Sequence, residues 1–167
     1  MIDARARTLI LAAPPLFLLH EMEEYRTMLP WIDEHTSIIP VFVRSVIPDT
    51  PAFIAYAGLL FLVVFTVAGL TALRSRPLSI AWIVLAMLFV ARLENAVLHM
   101  IESVALMQYT PGVVTAVLLV FPVSFYLVRQ FVRDNMIRKE WLAAIVIAAF
   151  VVQSAAIGGM LLLGSRG

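Results

Sequence analysis

The stretch Leu18-Leu19-His20-Glu21-Met22-Glu23-Glu24-Tyr25 decides how the chain is read. Twelve uncharged residues, Thr8 to Leu19, run into it without a turn signal. Twelve residues of helix rise only about 18 Å, short of a hydrocarbon core about 30 Å thick. In a membrane helix, the histidine and carboxylates would therefore lie inside the bilayer or at its rim. At about 100° per residue, Glu23 and Glu24 flank His20 by about 60° and about 40°, with Thr27 between them. One helix face thus carries His20, Glu23, Glu24 and Thr27, while Glu21 is about 100° away.

The 167 residues are 62% hydrophobic and 14% charged, with a mean hydropathy of +0.98. Soluble domains carry about 25% charged residues, so this is the composition of a membrane protein. A net charge of +1 gives no case for nucleic acid as a partner. The absence of cysteine excludes disulfides, thiolate metal sites, iron–sulfur clusters and a cysteine nucleophile. Arg5 and Arg7 before an apolar run resemble a signal peptide, but Leu18-Leu19-His20-Glu21 stands where a small-residue cleavage site would be. A retained first helix is expected.

Turn and charge signals predict an all-α integral membrane bundle of about five transmembrane helices in one domain, residues 1–167. The first helix is expected over about 7–28, bent at Pro14-Pro15 and stopped by Pro30. Its prolines free carbonyls that neighbouring helices must cover. Residues 30–50 form the longest connection, and its apolar middle, Ile38 to Val46, is either an interfacial lid or an ordinary loop. Thr50-Pro51 starts a second helix, about 51–73, whose 22 residues from Ala52 to Leu73 hold no charge. Pro77 opens the third, about 77–107, and Thr110-Pro111-Gly112 opens the fourth, about 111–129. Trp141 to Leu163, 23 uncharged residues, forms the last, about 141–163. Lys and Arg number eight on the side of the N-terminus, the Arg74–Arg76 loop and the Arg129–Lys139 segment, against three opposite. The positive-inside rule sets the N-terminus in the cytoplasm and the C-terminus outside, in what is expected to be a bacterial cell membrane.

A second polar stripe lies on the third helix. With Asn95 as origin, His99 falls at about +40°, Glu102 at about −20°, Tyr109 at about −40° and Arg92 at about +60°. A charge at mid-helix costs about 2.5–3.5 kcal/mol, and each large aliphatic residue returns only about 0.3–0.6. The stripe therefore belongs inside the bundle, facing the first helix, whose charges are the only others at that depth. Direct packing of helices one and three is expected. One obstacle is depth: His20 follows Arg7 by 13 residues and His99 follows Arg76 by 23, an offset of about 15 Å. Leu19-His20-x-x-Glu23…Met28 recurs as Leu98-His99-x-x-Glu102…Met107, the pattern of a parallel internal repeat. Glu94, about 100° off the stripe, has no role in this pattern.

His20, Glu23 and Glu24 form a His-x-x-Glu-Glu motif; His99 follows as a second histidine, and Tyr109-Thr110-Pro111-Gly112 as a Tyr-x-Pro-Gly motif. In this order the set resembles the HXXEE family of small integral membrane proteins. The resemblance implies a multi-pass membrane fold and importance for those residues. It supplies no reaction.

Histidine and carboxylate at i, i+3 and i, i+4 can hold one ion from one helix face, and a facing pair completes the set. The sharpest reading is a divalent transition metal, zinc or iron, held by His20, Glu23, Glu24, His99 and Glu102, with Glu24 as ligand or general base. Arg92 and Asn95 would orient a ligand carboxylate or bind a substrate head group, and Tyr109 would close the outer end. The substrate would be a lipid-soluble small molecule arriving from the bilayer, and the enzyme a hydrolase or oxidoreductase. The motif is not the His-Glu-x-x-His of zinc proteases, because Glu24 stands at the second histidine's position. Three histidines are also too few for the clusters of membrane desaturases. A bis-histidine haem through His20 and His99 would leave the carboxylates without purpose. The competing readings are a metal-free proton relay, in a lipid isomerase or small transporter, and a purely structural charge network. His35 is expected to be solvated, Trp31 to anchor at the interface, and Gly58, Gly69, Gly158 and Gly159 to allow close helix packing.

Overall fold

A computed structural model of the chain describes residues 2–37 and 51–164, all of them helix or the short turns between helices. Helix α1 spans Ala4–Glu34, α2 Pro51–Arg74, α3 Ile80–Leu106, α4 Val113–Arg133 and α5 Leu142–Gly164. No strand occurs among the described residues. The expected lid, Ile38 to Val46, lies outside them. Of the described helices, α3 and α4 are long and apolar enough to cross a membrane.

Helix α1 continues through Pro14, Pro15 and Pro30, so Pro30 does not stop it. A proline removes one amide and crowds the carbonyl four residues earlier, which for Pro14 is that of Ile10. Helix α2 covers that carbonyl. A Cβ on Gly69 would stand 3.0 Å from Ile10 Cγ2 and 3.8 Å from the Ile10 oxygen. At Gly58 a Cβ would make ordinary contact, 3.5 Å from Glu21 Cβ, whereas Gly158 and Gly159 have nothing within 4 Å and pack against no described residue.

Two links tie together the end that holds the N-terminus. The Asp3 amide donates to the Asp134 carboxylate at 2.8 Å, and the Leu78 amide to the Met136 carbonyl at 2.9 Å. Leu78 takes a left-handed φ of 61°, so α3 begins at Ile80 rather than at Pro77. Asn135, at φ 55°, closes α4 beyond Arg133, so that helix outlasts Arg129. These ties bring the starts of α1 and α3 nearly level and remove most of the expected offset between His20 and His99. Arg5 and Arg7 belong to α1 itself, and Arg76 lies in the turn before α3; charged residues did not mark the helix starts.

The backbone of α1 packs against α2 and along α4. It meets α3 through side chains. Phe17 touches Phe89 edge-on at 5.9 Å and Glu21 pairs with Arg92. Phe17, Phe65, Phe89 and Phe131 are buried in edge-to-face pairs, forming an aromatic core one turn below His20.

Candidate metal centre

His20 and Glu24 are one turn apart on α1 and share a face; Asn95 and His99 repeat that spacing on α3. Glu24 Oε1 lies 2.8 Å from His99 Nε2 and 3.6 Å from His20 Nε2. Asn95 stands between the imidazoles, its Oδ1 3.1 Å from His20 Nε2 and its Nδ2 3.4 Å from His99 Nε2. The two rings meet edge to face at 5.1 Å. Both histidines are buried, His20 completely. His20, Glu24 and His99 each offer one ligand atom, all within 4.8 Å of one another.

The turn between α3 and α4 walls this group in. Gly112 has φ +84°, and a Cβ there would stand 2.9 Å from Glu24 Cγ, 2.9 Å from His20 Cε1 and 3.1 Å from His99 Cε1. Only glycine both takes that backbone conformation and leaves room for the three side chains. Thr110 does not cap α4, which starts at Val113; its hydroxyl donates instead to the His99 carbonyl at 3.4 Å. The cap comes from α1. The Glu23 carboxylate accepts the amides of Val114 at 3.3 Å and Thr115 at 2.8 Å, the Thr115 hydroxyl, and the Tyr109 hydroxyl at 2.9 Å. A carboxylate is favoured there because it meets the positive end of the helix. Partial burial, with the adjacent Glu23 carboxylate, holds the Tyr109 phenol above its usual range, so it remains a donor. After Thr115 the chain makes one wider π-turn, Ala116–Val120, a winding frequent at functional positions.

These contacts settle which proton His20 carries on its inner nitrogen. Thr115 has one hydroxyl proton, and Glu23 accepts it. His20 Nδ1, 2.9 Å from the same hydroxyl oxygen, must then donate. In the neutral ring, Nε2 therefore turns its lone pair toward Asn95 Oδ1 and Glu24 Oε1, both acceptors. Glu24 Oε1 faces His99 Nε2 at 2.8 Å, but among the described residues nothing donates to His20 Nε2, and a cation, whether a metal ion or a proton, would fill the space it shares with Asn95 Oδ1 and Glu24 Oε1. Two imidazoles and a carboxylate are also the donor set of open zinc sites and of mononuclear iron sites. On the chemistry of its donors, the group of His20, Glu24 and His99 could hold a metal ion. His99 differs from His20 in lacking an orienting partner: its Nδ1 is buried with none.

The other residues of the two stripes go elsewhere. Glu23 is engaged as the cap of α4. Glu102 is exposed, with no ion pair or hydrogen bond among the described residues, so the carboxylate on His99 is Glu24 and the two His-x-x-Glu segments are not equivalent. Arg92 is buried, but its guanidinium pairs with Glu21 and lies 3.7 Å from the centre of the Phe61 ring. His35, expected to be solvated, stacks on Trp31 at 4.4 Å and bridges the Trp31 carbonyl to the Gln108 side chain. Trp31 Nε1 in turn donates to the Tyr109 carbonyl at 3.0 Å. The motif reading missed Thr115 and Glu21. A threonine three residues after Gly112 was a usable signal for the first; Glu21, off the shared face, offered none.

A family model described as a protein of unknown function with HXXEE motif matches residues 11–127. No curated protein and no solved structure matches. The matched segment runs from within α1 to within α4 and contains His20, Glu23, Glu24, Asn95, His99 and Gly112; the chain belongs to the HXXEE family.

Proposed function

We propose that the chain is a five-span membrane protein that binds a divalent transition metal, zinc or iron, through His20, Glu24 and His99 and acts on a lipid-soluble substrate. The convergence of one ligand atom each from His20, Glu24 and His99, all within 4.8 Å of one another behind the Gly112 wall, carries this reading. A bound ion would supply Lewis acidity for a hydrolysis or, as iron, electrons for an oxidoreduction. Around it the protein groups divide the work. Glu24 serves as ligand, and its carboxylate can take up a proton. Asn95 spaces the two imidazoles, Thr115 and Glu23 hold the His20 tautomer, and Tyr109 holds Glu23 at the outer edge. Arg92, paired with Glu21, and Glu102, exposed, are not among the proposed ligands.

Support for the membrane comes from the outward faces of α2 and α5, where Leu60, Val67, Ile147, Phe150 and Val152 are all more than half exposed. Soluble monomers rarely present apolar surface on that pattern. The end that holds Asp3 and the 134–139 turn carries most of the Lys and Arg, and we assign it to the cytoplasm. Metal analysis of the detergent-purified chain tests the function. Wild type should hold about one ion per chain, and His20→Ala and His99→Ala should lose it while remaining helical by circular dichroism. Wild-type protein that carries no ion after purification with added zinc or iron would overturn the reading.

A proton relay without metal is the second reading, favoured by the chain His20–Thr115–Glu23–Tyr109 from the buried site to the outer turn. There the missing cation is a proton on His20, and function survives chelators.

A further inference from the structure

Away from the histidines, a groove of about 1030 Å³ opens on the outside of the bundle between α3, α4 and α5. Val97, Phe125 and Phe150 are among its apolar walls, while Arg129 and Arg133 stand at one end and Glu94 in the wall of α3. The volume reaches the upper end of ordinary ligand pockets, and the lining is almost wholly hydrocarbon. An occupant must therefore present a long apolar body.

The polar residues specify its head. Arg129 and Arg133 lie one turn apart at the end of α4, so their side chains project from the same face. Both are exposed. Arg129 makes no ion pair among the described residues, and Arg133 has only a 3.7 Å contact with Asp134, whose carboxylate already accepts from Asp3 and Gln130. Paired guanidiniums suit phosphate oxygens, and they lie at the end of the bundle assigned to the cytoplasmic interface, where anionic head groups are found. Glu94 is placed higher on the groove wall, its Oε2 buried without a partner. The arginines thus orient an occupant, with its anionic head at Arg129 and Arg133 and its tail along the apolar wall past Glu94.

We infer that this groove binds an anionic phospholipid, the phosphate on Arg129 and Arg133 and an acyl chain along α3 and α5. The inference rests on the membrane reading and is independent of the metal. Vesicle flotation of the full chain comes first; a chain that stays with the soluble fraction overturns both. Native mass spectrometry of the detergent-solubilised chain, titrated with dioleoyl phosphatidylglycerol or dioleoyl phosphatidylcholine, then tests the groove alone. Phosphatidylglycerol should bind roughly tenfold more tightly, and the double variant Arg129→Ala/Arg133→Ala should remove most of that preference. Arg5→Ala/Arg7→Ala, which alters charge at the same end outside the groove, should leave it intact. Equal retention of the two lipids, or an equal loss in both double variants, would overturn the inference while leaving the membrane reading standing. Because the chain has no cysteine, Phe150→Cys also offers a clean check: efficient disulfide dimerisation in vesicles would mean that a second copy fills the groove.

Discussion

His20 and His99 are the same kind of residue in the same buried group, yet they are held differently. Thr115 accepts from His20 Nδ1 and passes its own proton to Glu23, so the His20 ring has one orientation and one neutral tautomer. His99 is held by Glu24 and by packing, with Nδ1 unpartnered. Outer contacts of this kind are worth about 10–100-fold in metal affinity. Thr115→Val, close in volume but without the hydroxyl, should weaken metal binding within that range and leave far-UV circular dichroism unchanged. Competition with a chelating dye measures the effect. An affinity equal to wild type would show that packing alone orients His20.

Two features of the helices make sharper demands than their propensities suggest. Gly69 admits α2 to the carbonyl freed by Pro14, and a Cβ there would crowd Ile10 Cγ2 at 3.0 Å. Gly69→Leu should cost about 1–3 kcal/mol by overpacking, whereas Gly158→Ala, with open space around it, should stay within about 0.5 kcal/mol of wild type. Thermal or denaturant unfolding in detergent compares them, and equal effects would rule out the close approach at Gly69. At the end of α4, partial burial pushes the Asp134 carboxyl up, but hydrogen bonds from the Gln130 side chain and the Asp3 amide, aided by Arg133, hold it below the usual range. A depressed folded value means that ionised Asp134 stabilises the fold above the unfolded value of about 3.9. That contribution fades as pH falls through the lower folded value. The Tm advantage of wild type over Asp134→Asn should therefore be constant above about pH 5 and shrink below about pH 4. A pH-independent difference would remove ionisation from the account.

For the molecule as a whole, the assignment that matters is which end faces the cytoplasm. Asp3, Leu78, Asp134 and Met136 share one end, and the Tyr109–Gly112 turn shares the other with the histidines. Lys139→Cys and Gln108→Cys in the cysteine-free chain should therefore react on opposite sides. In intact cells, a membrane-impermeant maleimide should label only Gln108→Cys. Labelling of both would end the five-span arrangement, and the reverse pattern would invert it.

Helical periodicity and charge cost were enough to read the all-α architecture, the five helices and the inward-facing His20, Asn95 and His99 directly from the residues. An apolar helix cannot leave such a stripe unpartnered. Those signals describe angles about one helix axis. They carry no information on how two helices are rotated, levelled or spaced against each other. Glu23 and Glu24 flank His20 almost symmetrically, and nothing local tells them apart. Packing does: one side of His20 faces the start of α4, where free amides claim Glu23, and the other faces α3, where Glu24 meets His99. The same limit hid the pairing of Glu21 with Arg92 and the place of Gly112 against three side chains. Each depends on two segments far apart in sequence arriving at one depth. That depth was set by backbone ties at Asp3 and Leu78, which charge counting could not locate.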